Sequence, residues 1–131
     1  MSKPVLDIAI TTLDGRSRKI PAVLDTGSFY SLIRQDLLPS GTDLLRYPSR
    51  RIFRTAARGG KLGTIGATEL IITICGKKIL ANVLVSSNLA REMIIGAGTM
   101  QMWDISIKNR NGKTRVIVGR DMRDPEITEV D

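Results

Sequence analysis

The 131-residue sequence contains no histidine. That absence removes Ser-His-Asp and Cys-His catalysis and every zinc site that needs imidazole. The single cysteine, Cys75, excludes an intrachain disulfide and a multi-thiolate metal site, so neither a secreted disulfide scaffold nor a zinc ribbon fits. Aromatic residues are few (Phe29, Phe53, Tyr30, Tyr47 and Trp103), and none sits in the alternating aromatic-basic strand that stacks bases. No apolar run approaches the roughly 18 to 20 residues that cross a bilayer. The opening MSKPVLDIAITTLDG meets Asp14 and Arg16 before a leader-type helix develops. The expectation is a soluble, cytoplasmic chain without cofactor or metal. A domain excised from a polyprotein or a membrane-anchored precursor would read the same way. An enzyme built from this composition has carboxylates, hydroxyls, lysine and backbone dipoles to work with.

Twenty Lys and Arg against 13 Asp and Glu give a formal net charge of +7. The charge lies in patches: Arg16, Arg18 and Lys19; then Arg50, Arg51, Arg54, Arg58 and Lys61; then Lys108 to Arg120. The last stretch reverses sign through Asp121, Asp124, Glu126, Glu129 and Asp131. Such a balance favours solubility and weak polyanion affinity over specific nucleic-acid binding. The length fits one domain.

What is present in quantity is alternation of period two, which predicts strands. Val5 to Thr11 forms one, ending at the Asp14-Gly15 turn, and Lys19 to Leu24 returns as its hairpin partner into Asp25. Phe29 to Leu38 holds a short turn or strand. Pro39, Ser40, Gly41, Pro48 and Ser49 mark a loop region around the ambiguous Thr42 to Tyr47. Arg51 to Leu62 reads as a hairpin with Gly59-Gly60 near its tip, and Thr64 to Cys75 as a long strand turned back at Gly76-Lys77 into Ile79 to Val85. Met93-Ile94-Ile95 is a short apolar strand ending in Gly96, and Ala97 to Met102 a helical turn. Trp103 to Ile107 resumes strand alternation, and the Asn109 to Gly112 turn leads to Thr114 to Val118. After Arg120 the apolar content ends and the chain is expected to fray. The fold class is all-β, closed or semi-open, with little helix.

The sharpest local feature is Ala22-Val23-Leu24-Asp25-Thr26-Gly27-Ser28. Three apolar residues of a buried strand run directly into a carboxylate, and Asp is rarely buried unless paired or functional. Asp25 as an ordinary turn-former beside Gly27 explains the two residues separately. It leaves unexplained the second apolar triplet with glycine, Met93-Ile94-Ile95-Gly96. Together these segments resemble the retropepsins, the single-domain aspartic proteases of retroviruses and related proteins. Asp25-Thr26-Gly27-Ser28 matches the family's catalytic turn, and Ile94-Ile95-Gly96 its second motif. Ile74 to Lys78 followed by Ile79 to Val85 is similar to the hairpin between them. The likeness spans roughly Val5 to Ile107.

The resemblance implies a closed barrel-like acid protease domain with a flap, active only as an obligate homodimer. Each chain supplies one Asp25, and the two would share a proton because adjacent like charges do not both ionise readily. It implies that Thr26 bonds across the dimer and that Gly27 admits the substrate backbone. The Ser28 hydroxyl, close in sequence, is expected to donate to Asp25 and favour its ionised form. The flap falls on Arg51 to Ala67, with Ala57, Arg58, Gly59 and Gly60 at its tip. Substrate pockets fall on Val23, Leu32, Thr55, Met93 and Ile94. Their mostly aliphatic walls suit apolar or aromatic side chains, with Arg58 and Arg91 favouring acidic residues further out. The partners implied are a second copy, an extended peptide or protein substrate, and the chain's own precursor. Neither a specific nucleic acid nor a membrane segment is implied.

Two positions depart from the family. An Asp soon after the catalytic turn and an Arg after the second glycine commonly form an ion pair; here they read Phe29 and Ala97. Losing both leaves no unpaired buried charge, and Phe29, Tyr30 or Trp103 offers apolar packing in its place. The chain also continues past Ile107. The expected organisation is a catalytic domain over 1–107, a C-terminal hairpin over 108–120 that either joins the dimer interface or is a processing spacer, and an acidic tail over 121–131. Two other functions compete: a catalytically idle dimerisation or peptide-binding module, and a basic nucleic-acid-binding β-barrel. The second would need exposed stacking aromatics and would not depend on Asp25.

Overall fold

The computed structural model of the chain describes residues 3–54 and 61–124. Alternating apolar residues form β1 (Val5–Thr12), β2 (Ser17–Asp25), β3 (Ser31–Arg34), β4 (Leu45–Arg54), β5 (Lys61–Ile74), β6 (Lys77–Ser86), β7 (Met93–Gly96), β8 (Ile105–Arg110) and β9 (Lys113–Val118). One short helix, α1 (Ala97–Met102), and a 3-10 turn, Gln35–Leu37, interrupt them. The chain is all-β, as its periodicity predicts.

Seven strands make one sheet in the order β1-β2-β7-β3-β6-β5-β4, and a further pairing of β1 with β5 closes it into a barrel. The length of β5 makes closure possible. Its 14 residues pair with β6 along one edge, while the other edge takes β4 first and β1 afterwards. β4 is left outside the barrel as the edge of the sheet. Inside, every second residue faces a common core, including Ile10, Leu24, Ile33, Ile72, Val83 and Ile95, all essentially inaccessible. Each such side chain contributes about 1.5–3 kcal/mol on burial.

Several local expectations shift. β5 turns into β6 at Cys75-Gly76, one residue earlier than Gly76-Lys77, because Ile74 pairs with Lys77. Both turn residues take positive φ, 51° and 75°, as a two-residue hairpin of this hand requires. Asn111 and Gly112 repeat the device between β8 and β9, with φ of 53° and 75°. Pro48 and Ser49, expected in a loop, lie within β4. The β4–β5 register shifts between Arg46 and Arg51, and an irregular edge strand tolerates a proline without an N–H. The last alternating segment begins at Ile105 rather than Trp103. Trp103 instead closes α1, packs on the core and donates its indole N–H to the Leu80 carbonyl at 2.9 Å.

The fraying expected after Arg120 does not begin there. Gly119 and Arg120 donate their N–H groups to the carbonyls of Asp104 and Trp103, and Met122 donates to that of Lys78. Asp121 is only 3% exposed and accepts from the Arg123 backbone N–H at 2.9 Å and its guanidinium at 3.0 Å. The hydrogen bond from the Arg123 side chain holds the Asp121 carboxyl below the usual carboxylate range. Residues 125–131 of the expected tail lie outside the described residues. No helix among the described residues is long and apolar enough to cross a membrane.

Candidate active site

Asp25 is the last residue of β2, and residues 26–30 carry the chain round into β3. β7 runs between those two strands, parallel to β2 and antiparallel to β3. Val23, Leu24 and Asp25 lie opposite Ile94, Ile95 and Gly96, while Leu32 and Ile33 lie opposite Ile94 and Met93. The two motifs prominent in the sequence are therefore neighbours, with Asp25 beside Gly96.

Gly96 admits that approach. A Cβ there would stand 2.3 Å from the Tyr30 carbonyl oxygen and 2.6 Å from those of Ser28 and Phe29. α1 starts at the next residue, and its first N–H groups need acceptors. The Asp25 turn supplies them: Ala97 donates to the Ser28 carbonyl at 2.6 Å and Gly98 to that of Phe29 at 2.9 Å. Buried Ser31 completes the joint, accepting from the Gly96 N–H at 3.0 Å and pairing with the Thr99 hydroxyl at 2.6 Å. The turn is thus fastened to the start of α1 by backbone groups.

The Asp25 carboxylate is reachable, its side chain 16% exposed. Oδ1 accepts the Gly27 N–H at 2.9 Å, and Oδ2 accepts the ammonium of Lys3 at 3.0 Å. Nothing in the sequence pattern marks Lys3, which lies 22 residues away along the chain. Ser28 departs from expectation. Its hydroxyl donates to the Tyr30 carbonyl at 2.8 Å and not to Asp25, so it braces the turn rather than the carboxylate. Exposed Thr26 borders an open recess of about 500 Å³, lined also by Ala97, Met100, Gln101 and residues 104–107.

Three of the expected pocket residues come together. Val23, Ile94 and Leu32 are paired across β2, β7 and β3, and Leu32 is paired in turn with Leu84 of β6. Paired residues share a sheet face, so these four form one aliphatic row. Val23 is two residues before Asp25 and points to the same side. Leu32, Leu84 and Ile94 also join Leu62, Ala67, Leu89 and Tyr47 in a second, mostly buried cluster separate from the barrel core, in which Ile94 and Tyr47 stay partly exposed. Met93 is a correction: one step along β7 from Ile94, it points into the barrel and is fully buried in the core. Where the flap is expected, β4 and β5 pair antiparallel, with Phe53 opposite Leu62 and Arg54 opposite Lys61. Thr55, Ala57, Arg58, Gly59 and Gly60 lie outside the described residues.

Where the family ion pair is missing, Phe29 and Tyr30 stack edge to face with ring centres 5.3 Å apart. They remain 60% and 50% exposed. Trp103, the third aromatic considered for that role, is committed to Leu80 and the core.

Among solved structures the chain is similar to the EIAV protease complexed with the inhibitor HBY-793, at 20% identity and a TM-score of 0.58. The match covers 82% of this chain and 94% of that one. At that identity the likeness establishes the fold: this is a retropepsin-like, all-β acid protease fold. No family model matches the chain, and no curated protein matches it.

Proposed function

We propose that the protein is a homodimeric aspartic endopeptidase whose active site takes one Asp25 from each chain. The observation that carries this reading is the delivery of Asp25, by a backbone-braced turn beside Gly96, to the rim of an aliphatic row. The Gly27 amide alone does not call for a carboxylate, since an asparagine or serine side chain could accept the same bond. In the reaction, the ionised member of the Asp25 pair takes a proton from water, which attacks the scissile carbonyl carbon. The protonated member hydrogen-bonds to the carbonyl oxygen and stabilises the developing oxyanion. Proton transfer to the amide nitrogen then releases the amine and regenerates the pair with one proton.

In this reading Thr26 and Gly27 belong to the active-site turn, with Thr26 meeting its counterpart across the two-fold axis. The recess beside Thr26 receives the second copy. Val23, Leu32 and Ile94 line the substrate site, and residues 55–60 form the flap tip that closes over an extended peptide. Residues 1–107 are the catalytic domain, 108–120 the hairpin extension at the interface and 121–131 the acidic end. The substrates include the chain's own precursor. The idle-module reading is favoured by one observation, the Lys3 ammonium on Asp25 Oδ2, which occupies an oxygen the chemistry needs.

A diverse peptide library incubated with the chain and with Asp25→Ala, from about pH 3 to 8, separates the two. Cleavage lost in Asp25→Ala and falling faster than linearly on dilution is the expected result. A folded dimer that cleaves nothing would instead support the idle module.

A further inference from the structure

We infer that Arg51 of β4 selects an acidic residue in the peptide, so that the preferred substrate carries Asp or Glu flanking an apolar cleavage point. This rests on the endopeptidase reading and adds a substrate class to it. β4 contains Arg46, Arg50, Arg51 and Arg54 and no acidic residue. Most of that charge needs no explanation, because basic side chains on an edge strand discourage edge-to-edge pairing.

Arg51 differs in its placement. It lies opposite Thr64 of β5, which lies opposite Ser86 of β6. Thr64 is two residues from Leu62, which belongs to the cluster of Leu32, Leu84 and Ile94. The register therefore puts Arg51 on the face of the sheet that carries the aliphatic row. Its guanidinium carbon lies 4.7 Å from the centre of the Tyr47 ring, and Tyr47 packs on that same cluster. Stacking restrains a long side chain while leaving the in-plane N–H donors unspent. Among the described residues no carboxylate forms an ion pair with Arg51, which is exposed. An oriented, unpaired guanidinium beside an aliphatic cluster that stays partly open at Ile94 and Tyr47 fits a carboxylate borne on an otherwise apolar peptide. A nucleic-acid strand fits less well, because Val23, Leu32, Leu84 and Ile94 offer it no stacking surface and a face of Tyr47 is covered by Arg51.

The test uses full-length Asp25→Asn chain and fluorescent peptides with a Leu-Phe-Leu centre, in which Glu or Gln is scanned through the flanking positions. The expected result is a Glu position that binds about three- to tenfold more tightly than its Gln counterpart. That preference is lost in Arg51→Gln, reduced in Arg51→Lys and weakened by added salt. Equal binding of Glu and Gln peptides at every position, a preference that survives Arg51→Gln, or no binding at all would overturn the inference. So would an oligothymidylate probe that displaces the peptides through Arg51. Chain with Asp25 intact, given the same peptides, keeps the two readings apart. Cleavage without Glu preference sinks the Arg51 inference alone, whereas Glu preference without cleavage sinks the endopeptidase reading.

Discussion

A methyl group on Gly96 would meet three backbone carbonyl oxygens of the Asp25 turn at 2.3 to 2.6 Å, and backbone has little room to retreat. Gly96→Ala is expected to destabilise the fold by about 1–3 kcal/mol or more, read as a lower denaturation midpoint; an unchanged midpoint would contradict the packing described. Ser31→Ala acts differently. It removes the acceptor of the buried Gly96 N–H, and an orphaned buried donor costs about 1–3 kcal/mol. Ser31→Thr retains the hydroxyl and should recover part of the loss, provided its extra methyl is accommodated. Equal stability of Ser31→Ala and the parent would show that the bond is not needed. Asp25 and Gly96 were legible in the sequence because each directly follows an apolar run, and Gly27 because it stands two residues on, where the strand must turn. Lys3 and Ser31 were not. Their partners lie 22 and 65 residues away, and only the folded chain brings them together. Ser28 was misread for a related reason: a hydroxyl three residues past a carboxylate has a nearer acceptor in the Tyr30 carbonyl.

The final anchored segment, after β9, depends on one buried carboxylate. The Arg123 side-chain hydrogen bond lowers the Asp121 pKa from its ordinary carboxylate value. Asp121 therefore adds stability that is fully present above the unfolded-state value, about 3.9, and lost as pH falls through the lower folded value. The Met122 amide, bonded to the Lys78 carbonyl, should lose exchange protection over that acid range, and already at neutral pH in Asp121→Asn. A Met122 amide equally protected in Asp121→Asn would contradict this role. At this scale the alternating apolar residues foretold most strands, since core-facing positions recur every second residue. The β4 boundaries escaped because Pro48 and Ser49 are loop-forming residues that an edge strand tolerates at a register shift. The anchoring of 121–124 escaped because polar groups there bond to one another and to distant carbonyls, leaving no hydrophobic period. The insertion of β7 between β2 and β3 was equally hidden, because a short apolar strand does not encode its neighbours.

For the whole molecule, closure of the barrel leaves the Asp25 turn, the recess beside Thr26 and the exposed Phe29-Tyr30 pair at the surface. A single chain holds one Asp-Thr-Gly sequence, so the reaction proposed needs a second copy. In the proposed dimer, Phe29 and Tyr30, exposed on that turn, would supply an apolar contact in place of the absent ion pair. The most direct measurement of a shared site is peptidase activity in mixtures of parent chain and Asp25→Asn, equilibrated at constant total protein. If each site takes one Asp25 from each of two chains, an equal mixture retains about a quarter of the parent activity, since only parent homodimers are active. Retention of about half would mean that each chain carries a complete site, and activity in pure Asp25→Asn equal to the parent's would remove Asp25 from the chemistry altogether.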